Sequence, residues 1–197
     1  MAASSSFTLR SMEPSDADAV QRLWSVRFGG APSTQSRWIE AALDPAHSAV
    51  GFVAEPDRPD GIVGFSLLDV AGRDYTHQYL GLDAIDAAPP LADRNGIFHL
   101  SCVRVDWEGR GIGSAFYDRR LSVLADRSVP RTVGIAWHRP HTVDSRALFE
   151  KWEFTAVATV ERYYARTGSR LNCPDCGRPC TCTATIYART VGPAKGG

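Results

Sequence analysis

The stretch FTLRSM (7–12) alternates apolar and polar residues, the period of a half-buried strand. Pro14, Ser15 and Asp16 follow as a helix start. Ala17, Val20, Leu23, Trp24 and Phe28 then recur at helical spacing, which predicts a first helix over 16–28. Trp38, Ile39 and Leu43 predict a shorter second helix over 33–43. SAVGFVA (48–54) and GIVGFSLLDV (61–70) read as strands on either side of the Pro- and Asp-rich turn EPDRPD. From 71 to 96 the periodicity is lost, which predicts a long loop, either functional or a plain insertion. IFHLSCVRV (97–105) and RTVGIAWH (131–138) are strands, with a helix from about 111 to 126 between them. VDSRALFEKW (143–152) is a helix with Ala147, Leu148, Phe149 and Trp152 on or near one face. FTAVATVERYYAR (154–166) and TATIYARTV (183–191) alternate as strands. The order is βααββ, then β-α-β-α-β, then a final β. It predicts an α/β (α+β) domain around one mixed sheet, without internal repeats.

A chain of 197 residues suits one domain with at most a small appendage. We place that domain over 7–191, with 1–6 a flexible N-terminus and 192–197 a flexible tail. The formal net charge is +0, so no broad field points to nucleic acid or an anionic membrane. The start, MAASSSFTLR, has no apolar core of signal-peptide length. No segment approaches the roughly 18 apolar residues of a membrane span. The expected location is cytoplasmic, where cysteines more often serve as metal ligands or reactive thiols than as disulfides.

WEGRGIGSAFY (107–117) places three glycines at a helix entrance, although glycine costs about 1 kcal/mol against alanine inside a helix. The physical reading is close approach of a ligand to the backbone. A strand that runs into a glycine turn at a helix N-terminus offers amides and the positive end of the helix dipole to an anion. Arg110 is placed to add a charge-assisted contact. A dinucleotide fingerprint does not fit, because its last glycine falls on Ser114 or Phe116. A P-loop does not fit either, because the segment has no lysine. VRVDWEGRGIGSAF (103–116) resembles motif A of the GNAT superfamily of acyl-CoA-dependent N-acetyltransferases: a strand ending V-x-P-x-x, then Q/R-x-x-G-x-G/A, then a helix. Val103, Gly111 and Gly113 match, while Val105 replaces the usual Pro and Glu108 the usual Gln or Arg. The second change puts a carboxylate near the expected pyrophosphate. FTLRSMEPSDADAVQRL and SRALFEKWEF are similar to the opening and late segments of that family, so the resemblance runs from about 7 to 191. It implies a GNAT-like mixed central sheet flanked by helices. It also implies that acetyl-CoA lays its pyrophosphate on Gly109, Arg110, Gly111, Ile112, Gly113 and Ser114, and its pantetheine arm along Ser101, Cys102 and Val103.

Two positions depart from the family's chemistry. The tyrosine that in many members protonates the leaving thiolate is Phe149 here, and the glutamate base of some members is Trp137. A lysine-like amine, with a pKa near 10.4, must still lose its proton before attack. His99 is the first candidate base. Strand alternation puts it on the face of Ser101 and Val103, and arylalkylamine N-acetyltransferases carry a histidine at a similar position. His77, His138 and His141 are secondary candidates, and Tyr163 or Tyr164 is a substitute for the lost hydroxyl. Cys102 points the other way and reads as a buried structural cysteine.

CPDCGRPCTC holds Cys173, Cys176, Cys180 and Cys182 in the spacing C-x₂-C-x₃-C-x-C. Four thiolates within ten residues can close tetrahedrally on one zinc ion, with two disulfides or a redox pair as the alternatives. The spacing fits neither common ferredoxin pattern. A Cys₄ zinc leaves no open position, so it is structural, a knuckle between the last two strands. The resemblance therefore implies an acetyl-CoA-dependent N-acetyltransferase that acts by direct amine attack in a ternary complex. The alternative is an inactive GNAT-fold module that binds acyl-CoA and uses the zinc hairpin to contact a protein or RNA. The amine, small molecule or protein, is unknown, and a homodimer is left open. Nucleic acid is disfavoured by net charge, although Arg162, Arg166, Arg170 and Arg178 lie on or near the hairpin.

Overall fold

The computed structural model describes residues 6–57, 60–139, 145–168 and 173–192. His141, Arg170, residues 1–5 and residues 193–197 lie outside this set. The elements run in chain order β1 (Phe7–Ser11), α1 (Ala17–Phe28), α2 (Pro32–Leu43), β2 (Val50–Pro56), β3 (Gly64–Gly72), α3 (Arg73–Tyr79), β4 (Arg94–Val103), α4 (Ile112–Asp126), β5 (Arg131–Trp137), α5 (Arg146–Lys151), β6 (Thr155–Val160), α6 (Tyr163–Arg166) and β7 (Ala184–Thr190). The strands form one mixed seven-stranded sheet, ordered β1-β2-β3-β4-β5-β7-β6. β4 and β5 pair parallel; β1 with β2, β2 with β3, β5 with β7 and β6 with β7 pair antiparallel. The chain divides into two compact units, Met1–Asp69 with His99–Arg120, and Val70–Phe98 with Leu121–Gly197. Among the described residues, no helix is long and apolar enough to cross a membrane.

In the first unit, α1 and α2 close over the sheet. Val20, Trp24, Ile39, Val53, Phe65, Leu67 and Cys102 make the core beneath them. The helix start read at Pro14–Asp16 is a capping box: Asp16 accepts from the Glu13 amide at 2.8 Å. Arg10 of β1 donates twice to the same carboxylate, at 2.6 and 2.9 Å. This hydrogen bond pulls the Asp16 pKa below its ordinary 3.8, against the desolvation of a nearly buried group. A depressed carboxylate contributes stability above its unfolded pKa and loses it as pH falls through the folded value. Asp16→Asn is therefore expected to cost about 1–3 kcal/mol at pH 7, and to show a shallower acid limb than the parent in urea melts between pH 5 and pH 2. Equal losses at both ends of that range would contradict the assignment. α1 stops at Gly29, and buried Gln35 of α2 donates to the Gly29 carbonyl at 3.0 Å while accepting from Ser25 at 2.9 Å.

In the second unit, Leu80, Ile97, Val133, Val160, Tyr163, Ala184, Ile186 and Ala188 form the core. Two sequence expectations change here. The 71–96 loop contains α3, and β4 already begins at Arg94. The expected strand 154–166 ends at Val160 after a register shift between Ala156 and Ala158, and Tyr163–Arg166 is a short helix. Tyr163 is buried and donates its hydroxyl to the Leu80 carbonyl at 2.8 Å, so the second half of the apolar run is satisfied by a turn into the core. The late helix is shorter than expected, Arg146–Lys151, and residues 143 and 144 lie outside the described set.

Candidate functional site

The glycine turn lies in the first unit. A 3₁₀ turn, Val105–Trp107, carries the chain out of β4 and buries the Trp107 indole. Gly109 and Gly111 follow with φ of +74° and +87°. A side-chain-bearing residue in this left-handed region costs roughly 1–2 kcal/mol, which explains the residue type. A Cβ at either glycine would meet nothing within 4 Å, and both positions are exposed. The cradle is therefore open to a ligand that approaches the backbone. α4 begins at once, and its bond from the Ala115 amide to the Gly111 carbonyl is 2.9 Å long. First-turn amides of a helix have no intrahelical acceptor, so the start of α4 adds donors to the turn. The position of α4 is set by Gly64 of β3: a Cβ there would lie 3.2 Å from Phe116, 3.3 Å from Ile112 and 2.9 Å from the Cys102 carbonyl. Arg110 folds back over Trp107, 4.8 Å from the ring centroid, and donates to the Asp106 carbonyl at 3.2 Å.

The carboxylate that departs from the family motif has a partner. Glu108 accepts from Arg27 of α1 at 2.6 Å, and the two side chains are 32% and 16% exposed. The local charge at the turn is thus balanced by a cation 81 residues away in sequence, which no local pattern announces.

β4 supplies the neighbouring segment. Its parallel ladder to β5 runs from Asn95↔Arg131 to Phe98↔Gly134, and His99 follows directly. Ser101 and buried Ser66 of β3 share a 2.9 Å hydroxyl–hydroxyl hydrogen bond. Cys102 lies in the core with its sulfur 3.9 Å from the Leu23 carbonyl, as expected for a structural cysteine. His99 differs from expectation. Its ring lies against Trp38 at 3.8 Å and Trp24 at 6.0 Å, residues of the helices that also cover Cys102. Alternation assigns faces within a regular ladder, and His99 sits just past one, beside two large indoles. Desolvation by this enclosure, and then the Arg37 charge, push its pKa down to about 3.

The second unit holds the other residues singled out in the sequence. Phe149 stacks on Tyr187 at 4.7 Å and fills the space left by Gly134, where a Cβ would lie 2.5 Å from its ring. It is a core residue. Tyr163 is committed to Leu80, and burial pushes its pKa up, so it does not replace the missing hydroxyl. His138 shares a 2.8 Å hydrogen bond with Thr185, and exposed His77 lies 3.9 Å from Asp83.

The four hairpin cysteines converge. Their sulfurs all lie within 4.8 Å of one another, with separations of 3.6 Å (Cys173–Cys182), 3.7 Å (Cys176–Cys180) and 3.5 Å (Cys176–Cys182). Four sulfurs held tetrahedrally at about 2.3 Å from one zinc would be about 3.8 Å apart. A disulfide would need about 2.05 Å, and none of these four cysteines is joined in one. The residues present therefore fit one metal ion. The Cys173 and Gly177 backbones bond reciprocally at 3.2 and 2.9 Å, and the Thr181 amide donates to the Cys176 sulfur at 3.3 Å. That amide is the main reason the Cys176 pKa falls to about 6. Asp175, inside the first knuckle, accepts two bonds from Arg139 at 2.7 and 2.6 Å, and Arg139 lies 4.4 Å from the Trp137 ring. Sequence reading did not find this clamp just beyond β5. The only local signal was an acidic residue between Cys173 and Cys176.

No protein-family model matches the sequence, and no curated protein matches it significantly. Solved structures do match its shape. Arabidopsis thaliana NAA60 in complex with acetyl-CoA is similar over 94% of this chain and 99% of its own, with a TM-score of 0.70 and 12% identity. The ribosomal-protein-S18-alanine N-acetyltransferase of Escherichia coli is similar over 95% of both chains, with a TM-score of 0.62 and 16% identity. A GNAT-family acetyltransferase of Streptococcus pneumoniae is similar over 95% of this chain and 100% of its own, with a TM-score of 0.63 and 13% identity. The strand order, the flanking helices and these matches together show that the chain has the fold of the GNAT acetyltransferases.

Proposed function

We propose that the protein is an acetyl-CoA-dependent N-acetyltransferase acting on a primary amine. The observation that carries this reading is the open, left-handed Gly109–Gly111 turn between β4 and α4. Amides from Gly109 to Ser114 hold the pyrophosphate, and the backbone of Ser101, Cys102 and Val103 pairs with the pantetheine arm. The Arg27–Glu108 pair removes the repulsion that an unpaired Glu108 would exert on the phosphates. The amine attacks the thioester carbonyl directly. A C–N bond forms, the C–S bond breaks, and CoA leaves as its thiol. A backbone N–H near Val103 polarises the carbonyl oxygen. With Phe149 in the core, the thiolate takes its proton from water. The four cysteines hold a structural zinc ion, whose closed coordination supplies folding stability rather than chemistry.

His99 does not serve as the base in this reading, because Trp24 and Trp38 enclose its ring. A pKa near 3 makes it a weak base, far from the optimum for proton abstraction at neutral pH. The acceptor must then arrive deprotonated or pass its proton to water. Log kcat/KM is expected to climb steadily towards the acceptor's own pKa, near 10 for an alkylamine, with no break between pH 5 and pH 8. His99→Phe, which keeps the ring contacts with Trp24 and Trp38, is expected to leave kcat and that profile nearly unchanged. An inflection near pH 6–7 that disappears in the variant would show an ordinary histidine base and overturn this assignment.

The test of function is acceptor-dependent release of free CoA thiol from acetyl-CoA, measured across polyamines, amino acids, arylalkylamines and peptide N-termini. A second reading, binding of acyl-CoA without transfer, draws on the missing Phe149 hydroxyl. It predicts binding with no thiol release for any amine.

A further inference from the structure

Ser66 sits in the middle of β3 with no exposed surface, and its hydroxyl meets only the hydroxyl of Ser101 among the described residues. By geometry alone, either oxygen of the pair can donate. Burial supplies the direction. A buried hydroxyl needs an acceptor for its proton, and leaving a buried donor unsatisfied is costly. If Ser101 donated, the Ser66 proton would have nowhere to go. Ser66 therefore donates and Ser101 accepts. The proton of Ser101 is then left to serve a third group, and Ser101 is only partly buried. Its neighbours on β4 fix where that group comes from. Cys102 turns into the core beneath α1, so Ser101 takes the opposite face. Ser66 flanks Phe65 and Leu67, which face the same core as Cys102, and shares its own face with Gly64, where Ile112 and Phe116 of α4 pack. The Ser101 hydroxyl thus emerges on the α4 side of the strand, the side of the glycine turn.

We infer that the Ser101 hydroxyl donates a hydrogen bond to an amide carbonyl oxygen of the pantetheine arm of the bound cosubstrate, and that buried Ser66 is the positioning residue that aims it. The inference rests on the proposed acetyl-CoA site and assigns a side-chain role within Ser101–Val103, a segment otherwise expected to act only through its backbone. It also gives β3 a part in cofactor recognition, since the direction of the donor is set from below by Ser66.

Calorimetric titration of the metal-loaded protein tests it with three ligands: acetyl-CoA, CoA and adenosine 3′,5′-bisphosphate, which lacks the arm. Ser101→Ala is expected to weaken acetyl-CoA and CoA about 3- to 10-fold, the net effect of one hydrogen bond, and to leave the nucleotide unchanged. Ser101→Thr, which keeps the hydroxyl, is expected to restore the parent affinities. Ser66→Ala is expected to weaken the same two ligands by a smaller factor, because Ser101 survives but loses its fixed direction. Parent-like affinity for all three ligands in Ser101→Ala would overturn the inference while leaving the proposed site intact. Equal weakening of all three in Ser101→Ala would also overturn it, since that pattern reports a general disturbance of the strand. If the parent itself bound none of the three, the proposed acetyl-CoA site would fail, and this inference with it.

Discussion

Gly111→Trp is expected to lower affinity for acetyl-CoA by at least about 100-fold while the protein remains folded. Two physical effects separate here. The φ of +87° strains any side-chain-bearing residue, at roughly 1–2 kcal/mol, or a few degrees of melting temperature for a chain of this size. A Cβ at this site meets nothing within 4 Å, so the new side chain does not clash with the fold. It does occupy the space that the proposed pyrophosphate needs. A 100-fold loss corresponds to about 2.7 kcal/mol, well within the reach of steric exclusion. Gly111→Ala serves as the control, since it carries the same backbone strain with far less bulk. The prediction is a similar melting temperature for the two variants and an affinity loss much larger in the tryptophan variant. Calorimetric titration beside a thermal melt reads both quantities. Equal affinity in the two variants would mean that the ligand does not contact this turn.

Removal of the metal is expected to produce the other large change. The four thiols converge to tetrahedral spacing, and Cys173, Cys180 and Cys182 are buried. Buried thiolates without an ion would repel one another and lack solvation, so the empty hairpin must reprotonate or open. Chelation, or Cys182→Ser, is expected to cost on the order of 3–5 kcal/mol and to lower the melting temperature by about 10 °C. One equivalent of zinc per chain, measured by elemental analysis, should accompany the folded protein. The Arg139–Asp175 clamp should make the hairpin cooperative with the neighbouring chain, so Asp175→Asn is expected to weaken zinc binding about tenfold in competition with a chromogenic chelator. A protein that melts at the same temperature with and without chelator would remove the structural role of the metal.

Much of the fold was legible in the chain because strand and helix periods are local. The alternation at 7–12, the helical spacing of Val20 and Trp24, and the apolar run before the glycines each gave an element within a few residues of its observed bounds. The failures share a cause. Tyr163 and Tyr164 looked like strand continuation, but a tertiary partner, the Leu80 carbonyl, draws Tyr163 into a turn. His99 looked like a cleft residue because alternation says so, whereas two tryptophans from distant helices decide its surroundings. The residues sequence reading missed, Arg27 beside Glu108 and Ser66 beneath Ser101, act through contacts between positions far apart in the chain. The cysteine cluster was readable because its ligands are local, ten residues that close on themselves.

The proposed function stands on an acyl-CoA site at the glycine turn. The most direct test is titration of the purified, metal-loaded protein with acetyl-CoA by calorimetry. Saturable one-to-one binding with a dissociation constant in the micromolar range, lost in Gly111→Trp, is the predicted result. No heat and no binding at millimolar acetyl-CoA, from a protein that is folded and holds its zinc, would contradict the account.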